Sequence, residues 1–173
     1  MRTWGGILAR WALFPAMLIV LGACSFSMPA FVTSNVLGCA QVDQKALKFV
    51  NWTQVPEVNV RIRHDEFSPM VLRLRQGWPY VMRIRNRDQY THYIQAYEFF
   101  SNVAVIQASV GGRVFDNNCF GVLVLPPRQT VELRLVAAID GYYEYDDNLY
   151  PFLGGFTFGP QGVIIIEERN PRI

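Results

Sequence analysis

An all-β sandwich is the fold class this sequence predicts, and three observations lead to it. Apolar residues recur with a period of two: Val58, Val60 and Ile62 alternate with Asn59, Arg61 and Arg63; Met70, Leu72 and Leu74 with Val71, Arg73 and Arg75; Tyr80, Met82 and Ile84 with Val81, Arg83 and Arg85. Such alternation sends every second side chain to the same face of a half-buried strand. The breaks between the runs hold turn chemistry: Ser68-Pro69, then Gln76-Gly77-Trp78-Pro79, then Asn86-Arg87-Asp88. Helical periodicity is almost absent, and short strands at this spacing indicate a sandwich or a barrel. With 173 residues, 51% hydrophobic and 17% charged, the chain has the length and apolar content for one domain with a real core.

The segments follow in order. Over residues 1–23, Arg2 and Arg10 flank an apolar run that ends in Leu21-Gly22-Ala23-Cys24. A positive flank, a short apolar stretch and small residues before a cut describe an export signal peptide. The tetrad also resembles a bacterial lipobox, in which Cys24 becomes the lipidated first residue of a lipoprotein. The alternative is a retained membrane anchor, because Phe26, Met28, Phe31 and Val32 prolong the apolar stretch toward the ~20 residues a span requires. Both readings place the domain on the periplasmic side, attached to the cytoplasmic or outer membrane, with the positive charge left inside.

Residues 24–55 read as an extended lead with a short helical piece near 44–49, and residues 56–173 as the sandwich domain. Asn51-Trp52-Thr53 is a glycosylation-type tripeptide that a bacterial signal leaves unmodified. Beyond the three alternating runs, strands are expected over 120–125, 130–136, 141–145 and 162–167. Residues 97–108 read either as a turn or two of helix with Phe99, Phe100, Val103 and Ile106 facing inward, or as an irregular strand.

Removing Arg2 and Arg10 from the 16 basic residues leaves 14, against 14 acidic ones, so the part after the signal is neutral. Nucleic-acid binding rests on many phosphate contacts and is not expected of a neutral domain. Of the three cysteines, Cys39 and Cys119 remain once Cys24 carries lipid, and an oxidising compartment permits a disulfide between them. Such a bridge would stabilise by ~4 kcal/mol in the chain-entropy model. Two separate buried thiols are the other reading.

One set of residues resembles the cupredoxin family. It comprises Glu66-Phe67-Ser68-Pro69, Gly77, Asn86, His92, Tyr97-Glu98-Phe99-Phe100, Val124-Leu125-Pro126-Pro127 and Gly141-Tyr142-Tyr143, followed by the closing strand over 162–167. The resemblance implies a Greek-key β-sandwich of cupredoxin type, and it places His92 at the position of the family's first copper ligand. The family's Cys would fall near Asp147, its second His near residues 150–152, and its Met near Pro160. None of the three is present in Tyr145-Asp146-Asp147-Asn148-Leu149-Tyr150-Pro151-Phe152-Leu153-Gly154-Gly155. A blue-copper centre needs a thiolate and two imidazoles with a weak axial ligand. The expectation is therefore a domain with no cofactor and no type I copper, in which His92 is a hydrogen-bonding residue at the relic metal position. The alternative is a copper-binding or electron-transfer protein with an unorthodox site around His92.

Other chemistry stays at background level, and no enzyme activity is expected. Gly154-Gly155-Phe156-Thr157-Phe158-Gly159 lacks phosphate-loop spacing, His64 reads as a solvated turn residue, and Asp146 and Asp147 read as a solvated loop. Charge is nevertheless uneven. Arg61, Arg63, Arg73, Arg75, Arg83 and Arg85 occupy the positions opposite the apolar ones, while Asp140, Glu144, Asp146 and Asp147 crowd the loop without an intervening base. From Cys24 on there are 12 Arg against 2 Lys, and Arg suits bidentate contacts to carboxylates. The expectation is an accessory subunit of a membrane or electron-transfer assembly. It would dock a protein partner through Arg73, Arg75, Arg83 and Arg85 and through Asp146, Asp147, Tyr150 and Phe152. Ordinary solvated strand faces are the alternative.

Overall fold

In the computed structural model, residues 31–32, 40, 49–115, 119–147 and 159–169 are described. The strands are β1 (Phe31–Val32), β2 (Glu57–Arg63), β3 (Glu66–Ser68), β4 (Val71–Arg75), β5 (Pro79–Asn86) and β6 (His92–Gln95). After helix α1 (Tyr97–Asn102) come β7 (Val103–Val110), β8 (Arg113–Phe115), β9 (Val122–Leu125), β10 (Thr130–Ala137), β11 (Gly141–Asp147) and β12 (Gln161–Glu167). They form two 6-stranded mixed sheets, ordered β1-β9-β6-β11-β12-β4 and β3-β2-β5-β10-β7-β8. The fold is thus an all-β sandwich.

The three alternating runs give β2, β4 and β5, and Val60, Ile62, Leu72, Leu74, Tyr80, Met82 and Ile84 of the inward register are buried, but Met70 precedes β4 and is exposed, and Val81 on the opposite register of β5 is buried too. Period-two patterning specifies each strand's inner face but not which sheet it joins. Here β2 lies parallel to β5 in one sheet, whereas β4 lies parallel to β12 in the other. The chain changes sheet between β3 and β4, over a segment that includes a cis Ser68–Pro69 bond. Gly77, at φ 76°, supplies the left-handed conformation that turns the chain from β4 to β5.

Between the sheets lie Ile62, Leu74, Leu123, Leu125, Leu133 and Leu135, with Phe99 and Phe120 as the largest fully buried rings. The ambiguous segment divides in two. Tyr97–Asn102 is helix with Phe99 and Phe100 buried, and the chain then continues as β7. Phe100 packs on Phe120 at 4.5 Å between ring centroids and Phe99 lies edge-on to Tyr143 at 6.0 Å, so the helix closes one end of the core with aromatic surface. Close packing also explains Gly162: it faces the Tyr145 ring so closely that a Cβ would collide with it.

The lead joins the sandwich. Phe31 and Val32 pair with Leu123 and Val122 as an edge strand, and the Ala40 amide donates to the Ser101 carbonyl at 2.8 Å. No helix among the described residues is long and apolar enough to cross a membrane. Residues 1–30 and the short helix expected near 44–49 lie outside the described residues, except Phe49.

Candidate functional site

The site is built at one end of the sandwich, where β5, β6, β11 and the β2–β3 turn meet. It begins with Asn86, the fully buried last residue of β5. Its side-chain amide donates to the carbonyls of Tyr90 at 2.7 Å, Leu125 at 3.0 Å and Pro126 at 3.0 Å, and its Oδ1 accepts from the Asp88 amide at 2.7 Å. A tight turn is thereby fixed, with Asp88 pointing inward. The Asp88 carboxylate accepts the His64 amide at 2.9 Å and the Asp65 amide at 3.5 Å. His64 and Asp65 both have positive φ, at 53° and 58°, the conformation of a two-residue hairpin turn, so Asp88 holds the β2–β3 turn closed.

His92 opens β6 and is 1% exposed. Its Nε2 lies 3.2 Å from Asp88 Oδ2, while its Nδ1 meets Asp147 Oδ2 in a short contact. The other oxygen of Asp147 accepts the Tyr93 amide at 2.8 Å. Both ring nitrogens are therefore engaged by carboxylates, an arrangement that suits the imidazolium, which donates from both. Tyr90 packs on the imidazole at 4.9 Å between centroids and donates its hydroxyl to Asp65 at 2.5 Å. One ligand atom each from Asp65, His92 and Asp147 lies within 4.8 Å of the others.

The electrostatics follow from this geometry. Burial works against charge on His92, but the contact with Asp147, reinforced by Asp88, outweighs it and raises the His92 pKa. Burial likewise opposes ionisation of Asp88, yet the amides of His64 and Asp65 and then His92 hold its pKa below the usual carboxylate value. The Tyr90 pKa is raised, first because its hydroxyl donates to Asp65 and then by burial. Asp146 is raised by burial and then by the negative charges of Asp147 and Glu144.

Two expectations need correction. Asp146 and Asp147 are not on a solvated loop: they end β11, opposite Gln95 and Ile94 of β6. Asp147 is 8% exposed and committed to His92, so it is no surface contact for a partner, and Asp146 Oδ1 is buried. A loop assignment from polarity failed because a carboxylate with a buried histidine opposite loses its need for solvent.

The arginines expected to dock a partner together, Arg73, Arg75, Arg83 and Arg85, are divided between the two sheets. Arg73 and Arg75 stand on β4, in the sheet opposite the one that carries Arg61, Arg63, Arg83 and Arg85. Arg73 pairs with Glu167 at 2.8 Å, Arg75 lies 5.4 Å above the Trp78 ring, and Arg83 is bound by Glu57 and by Glu132, the latter at 3.0 Å. Arg85 stays exposed and lies in register with Arg61. His64 is an exposed turn residue. Tyr150, Phe152, Cys24 and Cys39 lie outside the described residues. Sequence reasoning gave Asp88, Asp65 and Tyr90 no role. The four-residue spacing of Asp88 and His92 was the available signal, but no local pattern joins Asp65 or Asp147 to them.

The sequence matches no protein-family model and no curated protein. Among solved structures, the chain is similar to a multicopper oxidase from Campylobacter jejuni, a metallo-oxidase (TM-score 0.43, 11% identity, 66% of this chain and 30% of that one). It is also similar to auracyanin B (TM-score 0.44, 15% identity, 68% and 93%) and to an oxidised amicyanin variant (TM-score 0.39, 17% identity, 76% and 90%). The chain thus spans 30% of the length of the oxidase. These likenesses concern the fold alone.

Proposed function

We propose that this chain is an exported, membrane-tethered cupredoxin-like protein without type I copper, serving as an accessory subunit of a membrane or electron-transfer complex. One observation supports this above others: both ring nitrogens of His92, the residue matching the family's first copper ligand, are taken up by carboxylates. Asp147 stands near where the family's Cys would fall, and a carboxylate cannot replace the soft thiolate of a blue-copper centre. The donor set does not fit type I copper, because the loop has no Cys, His or Met and the second histidine, His64, is an exposed turn residue.

A second reading rests on the approach of Asp65, His92 and Asp147. Two carboxylates and one imidazole are hard and borderline donors, suited to a divalent ion such as zinc or manganese more than to cuprous copper. Metal analysis and visible spectroscopy separate the readings. The protein isolated from its native membranes, and after addition of cupric ion, is expected to show no intense charge-transfer band and less than one tightly held metal per chain. A blue protein with stoichiometric copper would overturn the first reading, and stoichiometric zinc or manganese would favour the second.

The tether and the cross-link share one measurement. The Ala40 amide meets Ser101, next to Phe100, and Phe100 packs on Phe120, next to Cys119, so the residue following Cys39 in sequence is held near the Cys119 segment. Mass spectrometry of the non-reduced native protein should show Cys24 as a lipidated N-terminus and Cys39 joined to Cys119. Free thiols at both positions, or an intact residue 1–23 segment, would refute the corresponding half.

A further inference from the structure

We infer that the outer face of β2 and β5 is a docking site for an extended acidic segment of a protein partner. Arg61 and Arg85 lie in register on these parallel neighbours, Arg63 follows on β2, and Arg87 follows the end of β5. Arg128, at φ 61°, projects from the β9–β10 turn beside them. All five are exposed and make no ion pair with any described residue. Among the described acids nearby, Asp65 accepts from Tyr90, Asp88 meets His92, and Glu57 and Glu132 hold Arg83, while Glu66 stands opposite Arg63 across the β2–β3 hairpin without an ion pair to it. The guanidinium groups are thus left for an external anion.

The shape selects a chain over a single ion. Two clefts adjoin on this face: one of about 750 Å³ sets Arg61, Arg63, Arg87 and Arg128 around Asp65 and Asp88, and the other, of about 500 Å³, is lined by Arg61, Ser68, Arg85, Arg87 and Thr130. Arg61 and Arg87 belong to both, so the clefts form a continuous groove. Successive residues on the same side of a strand are ~7 Å apart and neighbouring strands ~5 Å apart, which is also the spacing of carboxylates on alternate residues of an extended acidic peptide. Arg binds such groups bidentately.

This inference rests on the accessory-subunit reading for its biological partner, but not for its test. Full-length protein in detergent would be titrated with an octaglutamate peptide. Replacing Arg61 and Arg85 with Ser, and separately Arg87 and Arg128 with Ser, should each weaken binding by about tenfold or more. Arg73→Ser with Arg75→Ser should leave it unchanged. Absence of binding by the native protein, or equal loss in the β4 pair, overturns the proposal. So does tighter, equally arginine-dependent binding of inorganic phosphate or of phosphatidylglycerol vesicles, which would assign the groove to phosphate chemistry. Co-purification from native membranes reads the accessory role separately: no retained partner would sink that role while the peptide titration still decides the groove.

Discussion

Replacing His92 with Ala is expected to lower the stability of the sandwich by about 3–5 kcal/mol, the cost of removing one member of a buried ion pair. The carboxylates of Asp88 and Asp147 would then be left at 7% and 8% exposure without the cation between them. Against a total stability of ~5–15 kcal/mol, such a loss shifts urea denaturation visibly. Asp147→Asn should be destabilising as well, and the double variant should cost less than the sum, because the two groups share one interaction. Additive effects, or a His92→Ala loss under ~1 kcal/mol, would mean that the cluster is not ionised as described.

The same cluster predicts a pH profile. The folded pKa of His92 is raised above its ordinary 6.5, so its stabilising contribution is fully present below that value and is lost as pH rises through the folded pKa. Asp88 runs the other way: its pKa is depressed below 3.8, so its contribution is present above 3.8 and disappears as pH falls through the folded value. Asp146, raised by burial, opposes Asp88 in the acid range, which makes the alkaline limb the cleaner readout. Stability of the native protein should decline above pH 6.5, and His92→Ala should lack that decline.

Much of the fold was legible because period two is a local property. Val60, Ile62, Leu72, Leu74, Met82 and Ile84 could be assigned to the core from their neighbours alone. Sheet membership could not, since β4 and β5 carry the same alternation yet stand in different sheets. The short strands β3 and β8, of 3 residues each, are below the length at which alternation shows. For residues 97–108 both readings hold in part: the first half is helix, with the adjacent rings Phe99 and Phe100 buried, and the second is strand.

The site was legible only at His92. Its partners come from 4 and 55 positions away along the chain, and a carboxylate in an acidic run looks like solvated surface until the buried imidazole facing it is known. The arginines show the converse. Composition revealed their number, but only the structure separates Arg73, which pairs with Glu167, from Arg61, which has no ion pair among the described residues.

The second large effect is expected at Asn86, where the turn that carries Asp88 is decided. Its amide group serves three carbonyls, of Tyr90, Leu125 and Pro126, and its Oδ1 holds the Asp88 amide. Asn86→Ala should cost about 3 kcal/mol, since each buried polar group left unsatisfied costs ~1–3 kcal/mol. Asn86→Asp should cost more at neutral pH, because an ionised carboxylate only accepts and would face three acceptors. Protonation restores one donor, so the deficit of Asn86→Asp relative to the native protein should shrink as pH falls toward 4, while that of Asn86→Ala should stay nearly constant. Release of Asp88 from its turn also removes the Nε2 partner of His92, so in either variant the imidazole should titrate at lower pH than in the native protein, as followed by NMR of its ring protons. A His92 titration unmoved in both variants would show that Asp147 alone fixes its charge and that Asn86 serves the loop without serving the site.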